Sequence, residues 1–180
     1  TSPEAVREEE FSPAYALRAS ASLIVPSDDV YATNMARRTP ARIISYGMSS
    51  EATVRASNVD FYENERGVTG MQANISVGNE QKKVVVKGSV GVTQILQAAA
   101  AVGIAIAFDI SLSEAIKALE QYEPPPGRCR LLAGISGSVI IDDSYNSSPT
   151  ACEEALATLK IFPARRRLAG WAECPRERKS

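Results

Sequence analysis

Hydrophobic and polar positions follow two different patterns in the first part of the chain. Short apolar runs at 22–25 and 41–47 stop at polar turns, and the stretch between them, 29–38, has helical composition. This order predicts two parallel strands joined by a short helix. From 53 to 88 the pattern changes to three β-type runs separated by Asn and Gly turns, which predicts an antiparallel meander.

Helix boundaries are marked by local signals. A Ser-Pro-Glu start predicts a helix over about 3–10. The Ala-rich run 93–108 is apolar almost all round, which predicts a deeply buried helix. Ser111 and Glu114 have the spacing of a capping box, so a further helix is expected over 111–122.

A run of prolines divides the chain. Residues 124–127 cannot be helical, because consecutive prolines lack N–H donors and force the preceding residues to be extended. We therefore predict one domain over 1–123, a linker at 124–127 and the start of a second domain over 128–180.

The second predicted domain begins with two strands. The runs 130–134 and 138–142 flank a Gly-Ile-Ser-Gly turn, and Ser148 followed by Pro149 starts a helix to about Ile161. A further strand is expected near Leu168, which would complete a βαβ unit. The fold class predicted for the whole chain is α/β.

Composition excludes several classes of function. The chain has 180 residues, a net charge of -1 and 6% aromatic residues, so it has neither the cationic field nor the stacking surface of a nucleic-acid binder. It contains no His, which removes His-based catalysis and most zinc chemistry. Its 3 Cys form no CxxC pair, and no apolar run is long enough for a membrane span. We expect a cytoplasmic protein with no membrane partner.

Candidate chemistry lies where strands end and helices begin, because ligands of open α/β sheets bind at such junctions. The junctions are 26–29, 88–94 and 142–149. At the third, an Asp pair is adequate for capping a turn, but Tyr145 and Asn146 also offer a flat ring and an amide to a nucleotide. If 130–134 and 138–142 form a hairpin, Arg128 and Asp143 lie at the same end of it, where the arginine could hold a phosphate.

The other two junctions are less specific. Gly88-x-x-Gly91 between a strand and a helix is weak evidence for a phosphate contact, and the P-loop motif does not occur in the 180 residues. Gln94 in the first helical turn suits a satisfied internal amide as well as a ligand contact. Ser27 and Asp28 suit either a helix cap or an adenosine contact.

Taken together, these segments resemble the Mur ligases. The most specific stretch is EPPPGRCRLLAGISGSVIIDDSYNSSPTACEEALATL, and upstream SPEAVREEE, LIVPSDD, RIISYG, VRASNV and GSVGVTQILQAAAAVGIAIAFDISLSEAIKALEQY occur in the family's order. The resemblance covers about residues 1–165. Folylpolyglutamate and cyanophycin synthetases share the architecture.

The resemblance implies an activity and its ligands. Mur ligases are ATP-dependent amide ligases that activate a carboxylate as an acyl phosphate, with Mg²⁺ offsetting charge. The chain would be the second half of the central domain, a parallel sheet with helices and small antiparallel strands, plus the first βαβ of a Rossmann-like domain. The implied partners are a UDP-N-acetylmuramoyl-peptide and D-alanyl-D-alanine, in a monomeric enzyme of peptidoglycan precursor synthesis. The fragment alone is expected to be inactive.

Site residues carry over by position. Arg128 and Asp143 match the family's ATP-contacting Arg and Asp, and Tyr145, Asn146 and Pro149 match the loop against the nucleotide. Three further positions match other family contacts: Gln94, where the family often has an Asn, and Ser27 and Asp28 in the adenine-contacting turn. The resemblance implies no catalytic residue and no metal ligand within this stretch.

Departures from the family keep a second hypothesis open. Pro26 replaces the Asn of the adenine-contacting turn, and Glu10 stands where a Mg²⁺-bridging Lys is usual. Val90 and Gly91 replace a His-Asn pair, and the sequence after Arg167 does not look like the family's next turn. The alternative to a ligase fragment is therefore a Mur-like nucleotide-binding or interaction module without catalysis.

Overall fold

The computed structural model describes residues 2–65, 67–146 and 148–170. The helices are α1 (Pro3–Tyr15), α2 (Val30–Ala36), α3 (Val92–Ala107), α4 (Leu112–Leu119) and α5 (Pro149–Ile161). The strands are β1 (Ser22–Pro26), β2 (Arg42–Gly47), β3 (Val54–Asn64), β4 (Gly67–Val77), β5 (Glu80–Lys87), β6 (Arg130–Ala133) and β7 (Val139–Asp142). The predicted α/β class is confirmed.

The first five strands form one mixed sheet in the order β1-β2-β3-β4-β5. β1 pairs with β2 in parallel from Ser22 opposite Arg42 to Pro26 opposite Tyr46, and β2 pairs briefly in parallel with β3. β3, β4 and β5 are antiparallel neighbours. Both predictions for this region, the parallel pair and the meander, are confirmed.

A bulge in β3 changes which side chains face the core. Val54 and Ala56 are buried, and after the register shift between Ser57 and Asp60 it is Val59 and Phe61 that pack against the core. Asn58, inside the shift, has φ 52°, as a residue in a bulge can have. The inward positions thus move from even to odd numbers, which brings the Phe61 ring to the core side.

Helix α3 lies across one face of the sheet and contacts all five of its strands. Ile95, Ala99 and Val102 are 0% exposed. The prediction of deep burial holds for this face alone, since Ile104 and Phe108 on the other side are 51% and 74% exposed. The reason is that α3 is covered by the sheet on one side, while α4 covers only part of the other.

Helix α1 is longer than predicted and packs on α2. Ser2 caps it as expected, but the helix continues to Tyr15, whose hydroxyl donates to Met35 Sδ at 3.2 Å. An ion pair of 2.9 Å joins Glu8 to Arg38, and the Arg38 guanidinium lies over the Tyr15 ring. The contacts of Tyr15 with Met35 and Arg38 stabilise the part of α1 beyond its predicted end.

The predicted hairpin and the predicted capping box are both present. β6 and β7 pair antiparallel, with Arg130 opposite Asp142, and Ser111 and Glu114 cap α4 reciprocally. The hairpin joins the first sheet through the segment after β5, where Leu131 N donates to Gly88 O at 2.8 Å. The linker predicted at 124–127 is irregular and precedes β6, and its role as a domain boundary stays a prediction.

The end of the described chain differs from the prediction. Phe162, after α5, is buried and stacks edge-on against Phe61, with 5.5 Å between ring centroids. No strand occurs in 163–170, although one was predicted near Leu168. Arg167 Nε instead donates to Phe162 O at 2.9 Å, and Leu168 is 73% exposed, with no neighbouring strand in the described part of the chain for it to pair with. The rest of the predicted second domain, 171–180, lies outside the described residues.

A search of the described helices finds none with the length and apolar character needed to cross a bilayer.

Candidate functional site

The loop before β6 has an unusual backbone on both sides of Arg128. Gly127 has φ 73° and Cys129 has φ 51°, both in the left-handed region that side chains disfavour. A Cβ at Gly127 would lie 2.7 Å from Tyr145 N and 2.9 Å from Tyr145 Cβ. Only glycine allows the loop to approach Tyr145 this closely.

Two carboxylates at the end of β7 hold this loop. Asp142 Oδ2 accepts from Gly127 N at 3.1 Å, and Asp143 Oδ1 accepts from Cys129 N at 3.1 Å. Asp142 and Asp143 are called the aspartate clamp below. Because its two bonds flank Arg128, the clamp fixes the backbone that carries the arginine.

The Arg128 side chain stacks on Tyr145. Its Cζ lies 4.2 Å from the ring centroid, within the range of a cation–π contact. Arg128 is exposed, and the Tyr145 ring is 69% exposed. No ion pair joins Arg128 to any other residue that the structure describes. The guanidinium is therefore positioned by a ring and remains available to an anion.

The clamp also alters proton affinities. Hydrogen bonds from the Ser144 hydroxyl, at 2.6 Å, and from the Gly127 and Ser144 N–H groups lower the pKa of Asp142. Burial, reinforced by the Asp143 carboxylate, raises the pKa of the Cys129 thiol to about 12. Asp142 is thus an acceptor at neutral pH, and Cys129 is a protonated thiol with no role as a nucleophile.

Gln94, the predicted contact at the start of α3, faces the protein interior. Its side chain is buried, its Oε1 accepts from Ser89 Oγ at 3.1 Å, and its Nε2 donates to Arg128 O at 3.4 Å. Gln94 therefore contacts the Arg128 loop at the backbone carbonyl of Arg128, inside the protein. It does not present its amide at an exposed surface.

Asn146, next to Tyr145, and Pro149 are exposed as well. Pro149 is the first residue of α5, and Ser148 caps that helix by accepting from Ala151 N at 3.2 Å. Five predicted residues (Arg128, Asp143, Tyr145, Asn146 and Pro149) thus surround the hairpin end and the start of α5.

Ser27 and Asp28 lie elsewhere, between β1 and β2. The Asp28 carboxylate accepts from Met48 N at 2.7 Å and from Ser49 N at 3.0 Å. A Cβ at Gly47, whose φ is 156°, would collide with the Ser27 hydroxyl and the Asp28 carboxylate. Asp28 therefore organises the turn after β2, and no hydrogen bond or ion pair connects it to Arg128 within the described residues.

The donor set for Mg²⁺ is incomplete. The described residues contain no group of three or more Cys, Asp or Glu side chains placed to hold a metal ion. Both oxygens of Asp142 accept from backbone N–H groups, of Gly127 and Ser144, and one oxygen of Asp143 accepts from Cys129 N. These residues alone do not fit the ion.

Sequence reasoning missed two contributors to this site. Asp142 is not among the residues predicted to contact a ligand; the capping role open to the Asp pair is the one it has, because it accepts from Gly127 N and Ser144 N and so holds the Arg128 loop. Ser89 gave no sequence signal, because its role depends on the side chain of Gln94 reaching it.

Comparison with known proteins gives a consistent result. No family model matches the chain. It is 31% identical over 147 residues to the UDP-N-acetylmuramoyl-L-alanyl-D-glutamate--2,6-diaminopimelate ligase of Janthinobacterium sp. strain Marseille, covering 76% of the chain and 28% of that protein. It is 29% identical over 139 residues to UDP-N-acetylmuramyl-tripeptide synthetase 2 of Oceanobacillus iheyensis, covering 77% and 27%.

Solved structures show the same fold. The MurF ligase of Thermotoga maritima, in complex with ADP, superposes with a TM-score of 0.77 at 20% identity, covering 90% of this chain and 36% of that one. MurF from Acinetobacter baumannii gives a TM-score of 0.75 at 21% identity, covering 87% and 33%.

Sequence relatives and fold together support the Mur ligase family. The chain spans less than a third of the length of the two Mur ligases to which its sequence was compared above. Those two relatives carry the names of ligases or synthetases, and a third relative, from Aquifex aeolicus, is a UDP-N-acetylmuramate--L-alanine ligase at 27% identity. The comparisons therefore support membership of the Mur ligase family, while the relatives' names differ in the group that is added.

Proposed function

We propose that this chain is the nucleotide-facing part of an ATP-dependent Mur ligase of peptidoglycan precursor synthesis. The observation that carries the proposal is the exposed Arg128 guanidinium, held over Tyr145 by the aspartate clamp. The names of the relatives as ligases, and the ADP complex of one structural neighbour, support it.

Each group has a distinct role in this proposal. Arg128 presents a planar set of N–H donors to phosphate oxygens, where a guanidinium makes charge-assisted bonds. Tyr145 supports that guanidinium, and its exposed ring, with Asn146 and Pro149, lies against the nucleoside. Asp143 keeps the loop in place through Cys129 N. Its match to the family's ATP-contacting Asp makes it a further nucleotide contact in this proposal.

The chemistry is amide formation through an acyl phosphate. Phosphoryl transfer from ATP to the substrate carboxylate activates it, and an incoming amine then displaces phosphate to form the amide bond. Positive groups that offset negative charge during phosphoryl transfer lower its barrier. In this chain that group is Arg128, and Mg²⁺ accompanying ATP would be held by groups other than the described residues.

The proposed substrates are a UDP-N-acetylmuramoyl-tripeptide and D-alanyl-D-alanine, in the cytoplasm and in a monomeric enzyme. Two MurF structures with TM-scores of 0.75 or above support this choice at the level of fold. The sequence relatives bear the names of ligases that add other groups, so activity with D-alanyl-D-alanine, compared with L-alanine and diaminopimelate, is the deciding assay.

A second candidate is a nucleotide-binding module without ligase activity. It is favoured by Glu10, which stands on α1 where the resemblance to the ligases leads us to expect a Mg²⁺-bridging Lys. In both cases we expect the 180 residues alone to bind nucleotide without forming an amide bond.

Nucleotide binding by the 180-residue chain tests the proposal. We expect Arg128→Ala to weaken ATP and ADP binding at least about tenfold, since a charge-assisted bond contributes roughly 1.5–3 kcal/mol. Calorimetric titration measures the change, and thermal unfolding checks that the fold is kept. Arg55→Ala, an exposed arginine on β3, is the control and should bind like the parent. Equal binding by parent and Arg128→Ala would remove Arg128 from the nucleotide site.

Amide formation by a full-length enzyme separates the two candidates. In a full-length enzyme carrying these residues, Arg128→Ala should lower ATP-dependent amide formation by a similar factor. If the full-length parent binds ATP but forms no amide with any of the three amines, the module without catalysis is the correct description.

A further inference from the structure

The start of α3 and the Arg128 loop are joined by a buried side-chain amide. Gln94 is 6% exposed and Ser89 is 0% exposed, so their 3.1 Å hydrogen bond is shielded from water. The remaining polar end of Gln94, Nε2, reaches Arg128 O at 3.4 Å. Both ends of the amide are thus engaged inside the protein, and neither is presented to a ligand.

Backbone bonds between the same two segments reinforce this contact. Val90 N donates to Cys129 O at 3.0 Å, directly beside the Gln94 bond to Arg128 O. On the opposite side the aspartate clamp takes the N–H groups of Gly127 and Cys129. The Arg128 backbone is therefore bonded from two directions, by β7 and by the start of α3.

The helix that carries Gln94 is rigidly placed. Ile95 follows it directly and is 0% exposed, as are Ala99 and Val102 further along the same helix. A buried apolar face resists displacement, because interiors are close-packed. Because α3 is fixed on the five-stranded sheet, the Gln94 bond fixes the carbonyl of Arg128 relative to that sheet.

We propose that Gln94 is a positioning residue that sets Arg128 over Tyr145, and that it does not contact the nucleotide. The proposal rests on the proposed function for its effect on nucleotide affinity. The Ser89 hydroxyl orients the Gln94 amide, so that its N–H points to the Arg128 carbonyl. The peptide on either side of Arg128 is then fixed, and the guanidinium lies where the Tyr145 ring holds it.

A spectroscopic test reads the Arg128 position without any ligand. Protons above an aromatic ring are shielded, so the Arg128 Nε–H proton of the 180-residue chain should resonate upfield of its ordinary position. In Gln94→Met, which keeps the volume and removes both hydrogen bonds, we expect this upfield shift to be lost in large part. Gln97→Met, on an exposed position of the same helix, is the matched control and should leave it unchanged.

A second variant guards against a folding defect in the first. Ser89→Ala removes only the hydroxyl that orients the amide, and we expect a smaller loss of the same shift. If both variants are folded by thermal unfolding and both keep the parent Arg128 Nε–H shift, the positioning role is wrong.

A double-mutant cycle then separates positioning from direct contact. We expect Gln94→Met alone to weaken ADP binding about threefold to tenfold, the range for one hydrogen bond, and to add nothing in an Arg128→Ala background. An equal loss in both backgrounds would mean that Gln94 contacts the nucleotide and would overturn the proposal. If Arg128→Ala itself binds ADP like the parent, the proposed function fails while the Arg128 Nε–H shift still decides the role of Gln94.

Discussion

The five-stranded sheet and the hairpin with α5 are held by different forces. In the sheet and α3, large side chains such as Ile44, Ile75 and Ile95 are 0% exposed. In the hairpin, Leu132, Val139 and Ile140 are all exposed, and α5 buries only Thr158 before Phe162. The first region has a continuous buried core, whereas the second adds only Leu131, Ile141 and Phe162 to that core and is otherwise fixed by hydrogen bonds.

This difference shows why the candidate site lies where it does. The hairpin is held by the bonds from Leu131 N to Gly88 O and from Val90 N to Cys129 O, and the aspartate clamp holds the loop before it. The Phe61–Phe162 contact and a 2.8 Å bond from Thr93 Oγ1 to Glu154 hold α5. Directional bonds fix a loop without covering it. Arg128 can therefore be precisely placed and exposed at the same time.

The comparison is tested most strongly in the core. Ile95→Ala should lower the free energy of unfolding by about 4 kcal/mol, because it removes a fully buried side chain and leaves a cavity. Urea unfolding followed by circular dichroism measures this. Ile110→Ala, at a side chain that is 43% exposed, is the control with a much smaller expected change. A loss below 1 kcal/mol for Ile95→Ala would show that this core is not close-packed.

The anchor of α5 gives the next largest effect. Phe162→Ala removes a ring that is 7% exposed. We expect the free energy of local unfolding of α5 to fall by about 3 kcal/mol, with no change in the sheet. Amide hydrogen exchange should show faster exchange in α5 and unchanged protection in β3 and β4. Ile161→Ala, at the neighbouring residue that is 63% exposed, serves as the control. Uniformly faster exchange across the sheet would contradict a separate anchoring of α5.

Protonation of Asp142 in the aspartate clamp at low pH should give the smallest loss of stability. Folding lowers the pKa of Asp142 below its ordinary value of 3.8. The ionised carboxylate therefore contributes its full stabilisation of the folded state above pH 3.8, and this contribution is lost as the pH falls through the lowered pKa. The Gly127 N–H resonance, bonded to Asp142, should move in that acidic range. Asp142→Asn should abolish this titration, whereas Glu153→Gln on exposed α5 should not. A Gly127 signal that titrates equally in Asp142→Asn would assign the effect to another group.

Much of the fold could be predicted because its signals are local. The capping box of Ser111 and Glu114, the Ser148 cap with Pro149 and the Gly-Ile-Ser-Gly turn each depend on residues close in sequence. The strand expected near Leu168 depended on a partner strand, which local sequence does not specify. The extension of α1 to Tyr15 likewise depended on contacts with Met35 and Arg38 of the α2 region.

The candidate site divides in the same way. Its residue types were predictable, because an Arg after prolines, an Asp pair at a strand end and a following Tyr-Asn are legible in sequence. Their use was not: sequence left Gln94 open between an internal amide and a ligand contact, and only the structure shows it bonding Arg128 O. Asp28 was likewise open between a helix cap and an adenosine contact, and its carboxylate bonds the turn after β2.

The sequence by itself determined the α/β class, the parallel pair, the meander and the hairpin that brings Arg128 and Asp143 to one end. These follow from periodicity, turn residues and caps, which act over a few positions. Only the tertiary structure decided that Gly127 and Cys129 take left-handed backbones, that Tyr145 supports the guanidinium and that Gln94 is buried behind it. Those outcomes depend on contacts between residues far apart in the chain, whose geometry is set when the hairpin packs against the start of α3.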